Sequence, residues 1–372
     1  MRSQPGTLTG GHGSRTIGVV SGFVLKLARQ SAGLTQEKLA EALKVDVTTV
    51  QGWESGRRPI AAMNAGDFLQ VSGRLSRLGA PASTGRHLRE AIQADQVLST
   101  GITAGPEWVD ADTHPLAASV HRRTITNLIT WPITGKLTRH LHEFTPKVSR
   151  RGPQPLHPSL SAEERNRFFD HLLTVAERGK HPDEALLRRQ AVYLLGFDGR
   201  PRATSWLRGE WQRAGRRPIK HGDITGLLEA RSASVALASV GDGTCIHDFV
   251  EHATDTSAEI ANLNYWAHWV GELDDEQISD SFMLQQDTRS WAGTRLLDHL
   301  TTRLRPDSPH LPLNLHTLHA LVASRPSLLA GRPAVRASLV EALDKLSLGD
   351  RLTRTGRDQL AGLHYALRIA GS

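Results

Sequence analysis

Apolar residues recur at three- and four-residue spacing along most of the chain, and no run alternates with period two. That periodicity predicts an all-α protein. The first twenty residues are rich in Gly, Ser and Thr and read as a flexible tail (1–20). Helical patterns follow near 23–55, 62–78, 85–99 and 115–143, the last interrupted at Trp131-Pro132. A Pro-rich basic stretch, Thr145–Ser161, carries Pro146, Pro153, Pro155 and Pro158 and reads as a linker over 146–160. Beyond it, Ser161 with Glu164 has the spacing of a capping box. Further helix starts are predicted near Pro182, Ala203, Asp223, Thr256, Ser290, Pro312, Ala334 and Thr355. Their separation, mostly about 20 residues, fits a paired-helix solenoid or an irregular bundle, with no tetratricopeptide or HEAT signature to decide.

The densest local signals lie in Phe23–Ile60. A first helix is predicted from about Ser21 to Ala32, ended by Gly33 in the left-handed conformation. Thr35 is placed to cap a second helix through about Leu43. A short turn at Lys44-Val45 leads to Asp46, placed to cap a third helix that ends near Ser55. Leu34, Leu39, Leu43, Val45, Val50 and Trp53 fall on the inward faces, and Ala40 is small where two helices cross. Two short helices joined by a tight turn make a helix-turn-helix, the geometry that places its second helix in a DNA major groove.

This run resembles the Cro/repressor (XRE) helix-turn-helix family of transcription regulators, over about residues 21–80. The matching positions are Arg29, Gly33-Leu34-Thr35-Gln36-Glu37, Leu39-Ala40, Asp46, and Trp53-Glu54 with Gly56, Arg58 and Pro59. The chain departs from the family at the turn, where Lys44 stands in place of Gly, and at Lys38, where Glu would complete a capping box. A left-handed Lys44 would cost on the order of 1 kcal/mol. The resemblance implies double-stranded DNA as partner, and homodimeric binding to paired half-sites. It implies a backbone phosphate contact for Gln36 and a buried ion pair between Arg29 and Glu54. Val47, Thr48 and Gln51 face outward from the third helix, where Gln can bond adenine and Val or Thr can meet a thymine methyl. Gly52 would offer bare backbone on the same face, and Arg57 and Arg58 would reach phosphate.

Charge adds to this picture. The net charge is +7, and it is unevenly spread: +6 over residues 1–90, +7 over 91–220 and −6 over 221–372. A basic N-terminal part suits a polyanion, and the acidic last third suits some other partner. The expected organisation is therefore a DNA-binding head (21–80), a helical connector (81–145), the linker, and a larger all-helical C-terminal domain (161–372) that takes an effector or a protein partner. The alternatives are a protein-interaction or ligand-sensing module anchored by the head, and a DNA-maintenance or partition factor.

The remaining chemistry points to no enzyme. Cys245 is the only cysteine, so no internal disulfide forms and no multi-cysteine zinc site is available. His316 and His319 have a metal-pair spacing but Leu-rich flanks, and His140 and His142 sit two apart on a helical stretch. Gly241–Cys245 is a turn without the Lys of a phosphate loop. Tyr265, Trp266 and Trp269 cluster with Asn262 and Asn264 and read as core in preference to a ligand pocket. Arg216–Lys220 reads as a solvated basic loop. No metal, no cofactor and no membrane segment is expected. The N-terminus lacks the apolar core of a signal peptide, so a cytoplasmic, nucleoid-associated protein is expected.

Overall fold

The computed structural model describes residues 18–144, 156–214, 223–252, 256–273, 275–285, 290–348 and 352–371. Every regular element among them is helical, so the fold is all-α. Most of the expected tail, most of the Pro-rich linker and the Arg216–Lys220 loop lie outside the described residues.

The chain divides into two compact units. Unit 1 comprises Met1–Val109, Thr113–Pro115 and Thr124–His171. Its helices are α1 (Val19–Ser31), α2 (Gln36–Leu43), α3 (Val47–Glu54), α4 (Ala65–Arg77), α5 (Thr84–Ala104), α6 (Arg123–Thr134) and the first part of α7 (Ala162–Arg178). The 21-residue α5 is its spine: α1 packs along it, and α4 packs beside its first turns. The core is apolar and closed, with Val24, Leu25, Leu88, Leu98, Leu128 and Ile129 at zero or one per cent exposure. Phe23 of α1 meets Trp131 edge to face, with ring centroids 5.2 Å apart. Pro132 lies inside α6, near its end, and has no N–H to donate to the carbonyl four residues before it. A short 3₁₀ helix, Arg139–Phe144, returns Leu141 and Phe144 to the core.

Unit 2 comprises Asp110–Asp112, Leu116–Arg123 and Leu172–Ser372. It continues with α8 (Ala185–Leu195), α9 (Pro201–Ala214), α10 (Ile224–Ser239), α11 (Thr244–His252), α12 (Thr256–Val270), α13 (Thr294–Thr301), α14 (Leu311–Ser324), α15 (Pro333–Ser347) and α16 (Arg354–Gly371). α10 packs against α8, α9 and α11, and α14 packs against α11, α13 and α16. Ala230, Ala233 and Ala236 are buried on α10, and their small volume permits close crossings. The Leu-rich flanks of His316 and His319 place Leu315, Leu318 and Leu321 in the core, and Gln359 Nε2 bonds His316 Nδ1 at 3.1 Å. Burial holds the His316 imidazole down to a pKa of about 4, so it is neutral. Cys245 is buried at the start of α11, and burial raises its thiol pKa. The sequence signals gave no start for α11; the Gly241 turn leads directly into it, and Thr244 Oγ1 donates to Asp242 Oδ1 at 2.7 Å.

Candidate nucleic-acid interface

The helix-turn-helix is assembled by local rules. α1 ends where Gly33 adopts φ 72°. There Leu34 N–H donates to Arg29 O and Gly33 N–H to Gln30 O, the closure that a left-handed residue makes possible. Thr35 Oγ1 accepts from Lys38 N–H at 3.2 Å and caps α2. α2 ends on the same closure: Val45 N–H donates to Ala40 O and Lys44 N–H to Glu41 O. Here the left-handed residue is Lys44, at φ 58° and ψ 44°, the only non-glycine residue with positive φ among those described. The turn therefore keeps the geometry that Gly would give and carries the Cβ strain of Lys.

Asp46 holds the cap position of α3 in extended conformation, but its side chain makes no cap bond, contrary to the capping role read from the sequence. Only its carbonyl serves the helix, accepting from the N–H groups of Thr49 and Val50. Of the inward residues, Leu39, Ala40 and Val50 are fully buried, while Leu34, Leu43, Val45 and Trp53 are half-buried.

Arg29 is 2% exposed and joins the three helices. Its Nε donates to Glu54 Oε1 at 2.5 Å, its Nη2 to Glu54 Oε2 at 2.8 Å and its Nη1 to Leu34 O at 2.8 Å. Gln36 Nε2 donates to the same Glu54 Oε2 at 2.7 Å. Gln36, the residue associated with phosphate contact, is thus tied through its amide nitrogen to the carboxylate that neutralises Arg29.

On α3, Thr48 is exposed and Val47 and Gln51 are half-buried. Arg57 and Arg58 are exposed and bonded only to hydroxyls among the described residues: Arg57 Nε to Ser55 Oγ at 3.1 Å, and Arg58 Nη1 to Thr49 Oγ1 at 3.0 Å. Gly52 differs from the reading as open backbone. It is buried, and an added Cβ would lie 3.1 Å from Arg58 Cδ and 3.2 Å from Cγ. The missing side chain lets the Arg58 stem lie back across the helix.

Two residues outside the sequence reading hold this site in place. Gly22 on α1 lets the end of α3 come close: a Cβ there would lie 2.3 Å from Trp53 O and 3.0 Å from Glu54 O. Asp95 on α5 caps α1, whose own cap position, Gly18, has no side chain. Asp95 Oδ1 accepts from Val20 N–H and Oδ2 from Ser21 N–H, both at 2.9 Å. Asp95 is 2% exposed, and burial raises its pKa to about 7 against the opposing pull of those N–H groups. No local pattern reveals a cap supplied from 74 residues away.

Elsewhere in unit 1, His87, Glu90 and His140 bring potential ligand atoms within 4.8 Å of one another. Both His87 ring nitrogens already face carboxylates, Nδ1 to Glu90 at 3.1 Å and Nε2 to Glu143 at 2.6 Å. This network links α5 to the 3₁₀ helix at Arg139–Phe144.

No helix among the described residues is long and apolar enough to cross a membrane. No curated protein and no solved structure matches the chain. Residues 25–70 match the helix-turn-helix family, so this segment, and not the chain as a whole, is identified as an XRE-type DNA-binding helix-turn-helix.

Proposed function

We propose that the protein is a sequence-specific transcription regulator that reads a major groove with α3 and acts in the cytoplasm, on the nucleoid, as a homodimer. The observation that carries this reading is the division of charge in the segment. Arg29 is neutralised by Glu54 inside the domain, whereas Arg57 and Arg58, beside the exposed face of α3, meet no carboxylate among the described residues. Cations left uncompensated at the end of a recognition helix suit phosphates. Thr48 and Gln51, with Val47 at the rim, then present a hydroxyl, an amide and methyl groups to base edges. Gln36 contributes a phosphate contact through the second N–H of its amide nitrogen, the first being donated to Glu54.

The test is a binding selection on random DNA, followed by titration at two salt concentrations. Gln51→Ala is expected to cost about 1–3 kcal/mol on the selected site and relax one base position. Arg58→Ala is expected to weaken selected and random DNA about equally and to lower the salt slope by roughly one contact. The reading fails if wild-type protein selects no sequence. The two roles are reversed if Arg58→Ala changes the motif and Gln51→Ala keeps it.

A further inference from the structure

A buried histidine of unit 1 lies between two carboxylates, and a second histidine stands beside it. His87 of α5 is 1% exposed. Its Nε2 lies 2.6 Å from Glu143 Oε1, and its Nδ1 lies 3.1 Å from Glu90 Oε2. A neutral imidazole carries one N–H, so it can donate to only one of these oxygens. Its other nitrogen then turns a lone pair toward a carboxylate, acceptor against acceptor. A positive charge must stand in one of the two gaps. A second proton on His87 meets that need, and so does a metal ion.

The surroundings favour the metal ion. The His140 ring lies 5.1 Å from that of His87, centroid to centroid. His87, Glu90 and His140 each bring one ligand atom within 4.8 Å of the other two. A proton held between His87 and Glu90 has no use for that third group, whereas a metal ion does. Zinc bonds imidazole nitrogen at about 2.0–2.1 Å and carboxylate oxygen at about 2.0–2.2 Å. Two such atoms about 90–110° apart on one ion are therefore separated by about 3.0–3.5 Å. The distance from His87 Nδ1 to Glu90 Oε2 already has that value. Rotation of the half-buried His140 ring brings in the third ligand. Glu143 has a separate part. A metal-bound histidine donates its other N–H to a carboxylate, which fixes its tautomer and ring orientation. Glu143 is so placed at Nε2, and its Oε1 also accepts from Ser83 Oγ at 2.7 Å. The Phe144 ring meets His87 edge to face and supplies an apolar wall. One spacing, used twice, builds the set: a His with a Glu three residues on, at 87 and 90 in α5 and at 140 and 143 in the 3₁₀ helix. Residues three apart share a face in both kinds of helix.

We propose that His87, Glu90 and His140 bind one divalent first-row transition ion, zinc being the best fit, and that Glu143 positions His87 for it. The ion clamps the 3₁₀ helix Arg139–Phe144 onto α5, the helix whose Asp95 caps α1. The inference is independent of the DNA reading, because its readout is metal binding by the full chain.

The chain holds 18 histidines, so the experiment must tell this site from adventitious ones. Full-length protein without a histidine tag is stripped with chelator and titrated calorimetrically with zinc chloride and with magnesium chloride, and melting temperatures are measured in parallel. One equivalent of zinc is expected to bind at micromolar concentration or below and to raise the melting temperature, with reversal by chelator. Magnesium, which prefers all-oxygen ligands, is expected to do neither. Glu90→Gln keeps the shape of the side chain, and His140→Ala alters only a half-buried one, so both are expected to fold; each should weaken zinc binding at least about a hundredfold. Glu143→Gln should weaken it about 10–100-fold with the zinc-free melting temperature unchanged. Cobalt bound in place of zinc should show visible absorption bands that Glu143→Gln shifts. His142→Ala, at the exposed neighbour, should leave zinc affinity and those bands as in wild type. The proposal is overturned if wild type takes up no zinc, which leaves the second proton on His87 as the bridge. It is equally overturned if Glu90→Gln and His140→Ala bind zinc as wild type does, or if His142→Ala weakens binding as much as His140→Ala.

Discussion

Arg29→Ala tests whether the buried ion pair holds the helix-turn-helix together or touches DNA. The substitution removes three hydrogen bonds, two to Glu54 and one to Leu34 O. Glu54, whose side chain is 5% exposed, then keeps only the Gln36 amide. A buried charge stripped of its partner costs about 3–5 kcal/mol. A domain is stable by only about 5–15 kcal/mol, so a large part of the segment's stability should go. The assay is hydrogen exchange of the full chain, read on peptides from α1 to α3, beside urea unfolding. Protection across Val19–Glu54 should collapse by about two to three and a half orders of magnitude, as about 1.4 kcal/mol is tenfold. The double variant Arg29→Met with Glu54→Met should recover most of the loss, because apolar residues of similar volume often replace a buried pair at little cost. Near-normal exchange in Arg29→Ala combined with lost DNA binding would refute the reasoning and make Arg29 a contact residue.

Three further substitutions test the supports of the site. Lys44→Gly should raise the unfolding free energy by up to about 1 kcal/mol in urea titration, since φ 58° costs a glycine nothing; the greater freedom of Gly in the unfolded chain limits the gain. Gly22→Ala should destabilise the segment and loosen α3, read as faster exchange at Trp53 and Glu54, because the new Cβ meets backbone oxygens that cannot swing aside. Asp95 should make stability pH-dependent. Its folded pKa of about 7 exceeds the ordinary 3.8, so the folded state takes up a proton, and its contribution falls as pH rises from about 4 through 7 and is flat above. Melting temperatures of wild type and Asp95→Asn between pH 5 and 8 check this: the gap should shift against wild type as pH rises, and a constant gap would contradict the raised pKa.

The helices of the head were legible because their signals are local. Gly33, Thr35 and the Lys44 turn act on backbone groups within five residues, so their effects can be read from neighbours in the chain. The alternation-free pattern likewise carried the all-α class. What stayed hidden depends on partners distant in sequence. Gly22 reads as a weak point in a helix until Trp53 O is found beside it. Asp95 reads as one more surface carboxylate on a polar stretch of α5 until α1 arrives with two unsatisfied N–H groups. Gly52 was misread in the opposite direction, because spacing places it on the DNA-facing side of α3 but cannot show that Arg58 folds back over it.

Asp95 also changes what the head requires to fold. An α-helix leaves its first N–H groups without internal partners, and α1 begins at a glycine that offers no side-chain cap. The carboxylate that accepts from Val20 and Ser21 belongs to α5, which begins at Thr84 and packs along α1. Cutting the chain just after α4 would expose the apolar face of α1, including Val24, Leu25 and Ala28, and strip its N-terminus of both acceptors. The sequence signature of the helix-turn-helix closes near residue 70, but the physical unit that stabilises its first helix extends through α5.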